Sequence, residues 1–197
     1  MKLRKGTIKR KTNETQIEVK LNIDGSGKYS IDTPIGFLNH MLELFAKHGT
    51  VDLDIKATGD IQVDEHHLVE DVGIVLGQTF FQCIGDKKGI NRYGFFILPM
   101  DEVLATVAVD FSGRCAFNLI GEFKREKVGD LPTELVYDFW DAFAQNAKIN
   151  LFIKVENGRN DHHKIEAIFK SVSKAIRMAC EFDARLKNNI PSTKGVL

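Results

Sequence analysis

Apolar and polar side chains alternate through Ile17, Val19, Leu21 and Ile23, the two-residue period of a strand with one buried face. Asp24-Gly25-Ser26-Gly27 is a turn sequence, and Lys28 to Asp32 beyond it completes a predicted hairpin. Thr33 and Pro34 break the pattern. Phe37 to His48 then spaces its apolar residues as a helix does, with Gly49 as the stop. Val51, Leu53, Ile55 and Ala57 alternate again, and Asp64 stands as a helix cap ahead of an apolar-rich segment reaching about Ile84. Gly85 to Gly89 is a polar connector.

The order then repeats. Val103, Ala105, Val107 and Val109 alternate, Asp110-Phe111-Ser112-Gly113 echoes the earlier turn, and a strand is predicted over Ala116 to Phe123. Pro132 and Thr133 open a helix through about Asn146, Ile149 to Val155 is a strand, and Asp161 caps a long final helix. With strands near Gly6 to Lys11 and Tyr93 to Leu98, each half reads β-β-β-α-β-α. Setting His40 against Asp138 also sets Phe45 against Phe143, Ala46 against Ala144, Leu53 against Leu151 and Ile55 against Ile153. A period this long predicts a duplicated unit, not a solenoid. The expected fold is α+β, with halves over residues 1–89 and 90–197. Each half is a mixed four-stranded sheet with two helices on one face, and the two are fused as one compact unit.

Composition narrows the functional classes. The 27 basic residues balance 27 acidic ones and are interspersed with them, so neither nucleic acid nor an anionic membrane is an expected partner. The basic opening has no apolar leader and no run approaches the length of a membrane span, which predicts a cytoplasmic protein. Cys83, Cys115 and Cys180 are widely spaced with no CxxC pair, and are expected to be buried thiols in a reducing compartment.

The histidines carry the chemistry. Of six in the chain, four form two copies of His-His-x-x-Glu, namely His66, His67 and Glu70, and His162, His163 and Glu166. On a helix each residue advances about 100° around the axis, so the two rings diverge and the glutamate falls between them one turn on. His66 and Glu70 can chelate one ion while His67 points toward another. Two such elements most simply build two metal sites, each completed from elsewhere in the fold or from a neighbouring chain. His40 and its counterpart Asp138 offer a further nitrogen and oxygen. His48 ends its helix, where it complements the dipole and stands as a candidate substrate contact. A nitrogen and oxygen set without thiolate suits Mn, Fe, Zn or Co. Arg92, Arg114 and Lys170 lie close to motif elements, and Ser192, Thr193 and Lys194 make an anion cradle if the tail docks.

The segments LNHMLELFAKHG, DEHHLVEDVGIVLG, DFSGR, NGRNDHHKIEAIFKSVSKAI and PSTKGVL, in this order, resemble the imidazoleglycerol-phosphate dehydratases of histidine biosynthesis from about Arg10 to Leu197. The resemblance implies a duplicated fold of the ribosomal protein S5 domain 2-like type and a cage of twenty-four identical subunits with active sites between chains. It also implies two Mn ions per site. The family's ligands carry over to His40, His66, His67, Glu70, His162, His163 and Glu166, and Asp138 stands where many members have His. Its substrate contacts carry over to Glu14, Arg92, Arg114, Lys170, Ser192 and Lys194. Asn39 replaces a usual Asp and Phe152 a usual His. The implied reaction is loss of water from D-erythro-imidazole-glycerol phosphate, a small phosphorylated imidazole, to give imidazole-acetol phosphate.

The catalytic set is then Glu14 with His66, His67, Glu70, His162, His163 and Glu166. Glu14 is the candidate for proton transfer, because it precedes a strand and lies outside the metal-binding helices. The alternative enzyme is a dinuclear hydrolase of a phosphorylated small molecule, using the same ions to activate water. Neutral charge and paired histidines argue against an RNA-binding or scaffold module.

Overall fold

A computed structural model describes residues 4–187 and 189–197. In chain order the elements are β1 (Lys5–Lys11), β2 (Thr15–Asn22), β3 (Tyr29–Asp32), α1 (Gly36–Gly49), β4 (Asp52–Gly59), α2 (His66–Ile84), β5 (Tyr93–Met100), β6 (Val103–Asp110), β7 (Ala116–Ile120), β8 (Lys127–Val128), β9 (Leu131–Pro132), α3 (Leu135–Ala147), β10 (Asn150–Glu156) and α4 (Asp161–Cys180). The first sheet has the order β1-β2-β4-β3 and the second β5-β6-β10-β7, the same path traced twice. In both, the third strand is parallel to the fourth and the rest are antiparallel, which makes the sheets mixed.

The hairpin expected between β2 and β3 does not form. A helical crossover through α1 returns β4 into the slot between them, where it pairs antiparallel with β2 and parallel with β3. Asp52 of β4 also reaches into the Asp24–Gly27 turn, its Oδ1 accepting the amides of Ser26 at 2.8 Å and Lys28 at 3.2 Å. Other ends shift as well. Pro132 belongs to the small β8–β9 pair, α3 starts at Leu135, and β7 stops at Ile120. Asn160, not Asp161, caps α4, its side chain accepting from the His162 amide at 3.0 Å. Gly49 is the last residue of α1, and Thr50 takes the left-handed conformation that ends it, with φ 57°.

Each sheet turns one face toward the helices. Ile17, Val19 and Leu21 of β2, and Ala105, Val107 and Val109 of β6, are buried there. The helices of the two halves pack on one another across the middle, α2 against α3 and α1 against α4. Trp140 of α3 is the hub, its ring centroid 6.2 Å from Phe45 of α1, 5.6 Å from Phe143 of α3 and 4.7 Å from Phe169 of α4.

The outer faces differ. The first sheet shows water Lys9, Glu18 and Lys20, paired at 3.0 and 3.4 Å, whereas the second exposes Tyr93, Phe95, Ile97 and Phe152.

The α2–α3 seam needs glycine on α2. A β-carbon at Gly73 would stand 2.6 Å from the Phe139 carbonyl oxygen, and one at Gly77 would stand 2.6 Å from that of Phe143. Backbone cannot give way as a flexible side chain does. Gly77→Ala is therefore expected to destabilise the fold by about 1–3 kcal/mol through overpacking. Urea denaturation measures it, and an unchanged midpoint would contradict the contact.

Candidate functional site

Both HHxxE elements open a helix, and the geometry follows from helical pitch. The His66 and His67 rings are 6.5 Å apart at 87°, and those of His162 and His163 are 6.0 Å apart at 84°. Each pair thus presents nitrogens in two directions. Asp64 accepts the His66 amide at 2.8 Å at the start of α2, but the cap position itself falls to Glu65, one residue later than expected.

In the second half, His162 Nε2 lies 3.1 Å from Glu166 Oε2, and His40 Nε2 lies 4.0 Å from the same oxygen. The three donor atoms fall within 4.8 Å of one another. Ligands of one small divalent ion sit about 2.0–2.2 Å from it and so no more than about 4.4 Å from one another, and these three atoms would have to draw together to share a cation. Lys170 grips the other oxygen of Glu166 at 2.5 Å. Burial pushes the Glu166 carboxyl up, but Lys170 and His162 outweigh it and hold the group below the usual carboxylate range. His48 belongs to the same neighbourhood. Burial first, then Lys170 and Lys174, push its pKa down, so its ring is neutral at pH 7.

The first half repeats this with one substitution. His66 Nε2 lies 3.7 Å from Glu70, and its Nδ1 lies 3.8 Å from Asp138 of α3. Asp138 thus meets His66 across the α2–α3 seam as His40 meets His162 across the α1–α4 seam. The two carboxylates flank opposite nitrogens of the ring and do not converge on one point.

The second histidine of each pair has its own carboxylate. His67 Nδ1 lies 3.2 Å from Asp60, and His163 Nδ1 lies 2.8 Å from Glu102, while Asp101 lies 3.4 Å from His163 Nε2. Asp60 raises the pKa of His67. His163 and nearby backbone amides bring Glu102 down to about 2. Glu14 sits on the β1–β2 turn beside Asp60 and His67, its carbonyl accepting the Asp60 amide at 3.1 Å. Asp60, Asp101 and Glu102 were not singled out in the sequence, although Glu102 immediately precedes β6 as Glu14 precedes β2.

The tail docks. Arg92, held by Asp110 at 2.7 Å, donates to the Pro191 carbonyl at 2.8 Å, and Leu197 lies over Gly113, next to Arg114. Arg92, Arg114, Ser192, Thr193 and Lys194 thus gather at one end of the chain's second half. The Arg92 amide bonds the Ala179 carbonyl near the end of α4. Lys170, nine residues earlier on that helix, is about 14 Å away along the axis. Phe152 points out from the second sheet, away from the histidine helices. Asn39 donates to the Thr33 carbonyl at 2.9 Å and accepts the Thr33 amide at 3.2 Å, a two-way bond that an ionised Asp could not make. Cys83 and Cys180 are buried, with thiols pushed up to about 12 by desolvation, while Cys115 is exposed, contrary to expectation.

Residues 33–176 match the sequence model of the family imidazoleglycerol-phosphate dehydratase. The chain belongs to this family. It is similar to the imidazoleglycerol-phosphate dehydratase of Koribacter versatilis, with 53% identity over 99% of this chain and 100% of that one. It is 53% identical to half of the histidine biosynthesis bifunctional protein HisB of Spirosoma linguale, with 98% of this chain aligned. The dehydratase structure from Staphylococcus aureus superposes with a TM-score of 0.83 at 41% identity, covering 91% of this chain and 99% of that one. The Pyrococcus furiosus structure, in complex with (S)-C348, gives 0.82 at 34% identity, covering 96% and 100%.

A buried ion pair holds the second histidine element of this family member in place. Asp161 accepts the amides of Lys124 at 2.7 Å and Arg125 at 2.8 Å, and it pairs with Lys164 at 2.8 Å. Lys164 in turn donates to the Glu122 carbonyl at 2.7 Å. Burial pushes Asp161 up, but Lys164 and the two amides outweigh it and leave its pKa below 3.8. A lowered folded-state pKa adds stability above the ordinary value and loses it as pH falls toward the folded one. Asp161→Ala should therefore cost about 3–5 kcal/mol at pH 7, because it strands Lys164. The gap from the parent should close as pH falls below 3.8. Denaturation curves across that range test it, and a pH-independent gap would contradict it.

Proposed function

We propose that this chain is the dehydratase that removes water from D-erythro-imidazole-glycerol phosphate to give imidazole-acetol phosphate in histidine biosynthesis. The observation that carries this reading is the perpendicular histidine pair with its glutamate, present twice in a member of the dehydratase family. Imidazole nitrogens and carboxylate oxygens, with the buried thiols elsewhere, fit a divalent first-row cation. His40, His162 and Glu166 would hold one ion. His66 with Glu70, His67 and His163 supply the remaining donors, and Asp138 is a candidate oxygen beside His66. Two such cations, assigned to manganese, would supply Lewis acidity toward the substrate imidazole, offsetting the charge that develops when the adjacent carbon loses its proton.

The chain's own groups do the rest. Glu14 is free of the metal-facing helices and is fixed through its backbone at Asp60, so its carboxylate can move a proton at the substrate carbon. Arg92, Arg114, Ser192, Thr193 and Lys194 hold the phosphate and orient the carbon. Lys170 and neutral His48 line the His40–Glu166 group. Because Lys170 lies about 14 Å along α4 from the Arg92 cluster, we assign a complete site to elements of more than one copy. The exposed aromatic face of the second sheet favours self-association, for which the sequence resemblance implies twenty-four subunits.

Turnover of imidazole-glycerol phosphate decides the function. Chelated protein should be inactive, manganese should restore activity, and the product should be a ketone without release of inorganic phosphate. Phosphate release would replace the dehydratase with a hydrolase. Glu14→Gln should lower kcat by about 10²–10⁴-fold while manganese content stays unchanged. Near-normal kcat would remove Glu14 from proton transfer.

A further inference from the structure

The two halves place carboxylates differently around equivalent histidines. The β2–β4 ladder pairs Thr15 with Gly59, and one residue further this register sets Glu14 opposite Asp60. The β6–β10 ladder pairs Leu104 with Glu156, and two residues further the same register sets Glu102 opposite Gly158. Glu102 is thus the topological counterpart of Glu14, and Gly158 of Asp60. Gly158 cannot take a carboxylate, since its φ is +84° and a β-carbon there would lie 2.3 Å from Val103 Cγ2. The acid beside His163 must come from the opposite strand, and Glu102 supplies it.

Both contacts fix the same ring nitrogen. An ionised carboxylate only accepts, so in the neutral ring Nδ1 of His67 and of His163 carries the hydrogen and Nε2 keeps its lone pair. At His163 Nε2 the Asp101 carboxylate stands 3.4 Å away in ion-pair range, and the hydrogen-bonding neighbour of that nitrogen is the Asn160 side chain. The Asn160 amide oxygen is taken by the His162 N–H at 3.0 Å, so its NH₂ group faces His163 Nε2 at 3.4 Å and finds an acceptor there.

We propose that Asp60 and Glu102 are positioning residues, one per half, that hold His67 and His163 in the Nδ1–H tautomer with Nε2 presented to a divalent cation. Asp60 does in the first half what Glu102 does in the second, and this leaves Glu14 free for chemistry. The proposal rests on the metal-dependent reading above, and its test separates the two.

Manganese binding to chelated full-length protein is titrated by electron paramagnetic resonance for the parent, Asp60→Asn, Asp60→Leu, Glu102→Ala and Glu14→Ala. Asn and Leu have nearly the shape of Asp, but only the Asn oxygen can accept from Nδ1–H. Asp60→Leu should bind manganese about 10–100-fold more weakly than Asp60→Asn, the usual loss when a ligand's supporting partner is removed. Glu102→Ala should weaken binding, and Glu14→Ala should not. Equal affinity in the two Asp60 variants, or an equal loss of binding or folding in both, overturns the proposal whatever Glu102→Ala does. A parent that binds no manganese instead overturns the metal reading itself.

Discussion

The arrangement depends on how closely the helices of the two halves approach. Gly73 and Gly77 let α2 lie on the backbone of α3, and Gly49 brings α1 within reach of Ser173 on α4. Each histidine helix therefore packs on a helix from the other half and not on its sequence neighbour. His66 consequently meets Asp138, and His162 meets His40. Asp130, in the β8–β9 turn, ties the halves again by accepting the Gly36 and Phe37 amides at the start of α1, at 2.6 and 2.9 Å. Neither half could bring these side chains together alone.

On this frame the chemistry is a matter of direction. Successive helical residues point about 100° apart, so a His-His pair serves two places at once and cannot close on one ion. What each ring faces is set by a carboxylate: Glu166 on the same helix for His162, Asp60 beyond β4 for His67, and Glu102 on the β5–β6 turn for His163. The phosphate-binding candidates lie at the far end of α4, carried by the docked tail. The histidine groups and the basic cluster thus stand at separate places on one chain.

The duplication has been kept in backbone and altered in side chains. The sheets share one strand order, yet one outer face is charged and the other aromatic. His40 corresponds to Asp138, Glu14 to Glu102 and Asp60 to Gly158. The His40–Asp138 exchange alters chemistry on a helix face and leaves the path of the chain alone, whereas Gly158 takes a φ of +84° that Asp60 does not, and Glu14 and Glu102 are the same residue with different neighbours.

The sequence by itself determined the repeat, the α+β class, the buried faces of the strands and the recurrence of His-His-x-x-Glu. These depend on periods of two and 3.6 residues, which are local and survive in the order of residues. It did not determine that β4 would separate β2 from β3, that Asn160 would cap α4, or that Cys115 would be exposed. Nor did it pick out Asp60 and Glu102, ordinary acids whose meaning comes from the rings they touch. Only the tertiary structure decided these, because strand order, helix seams and hydrogen bonds between distant residues are contacts in space that no local period records.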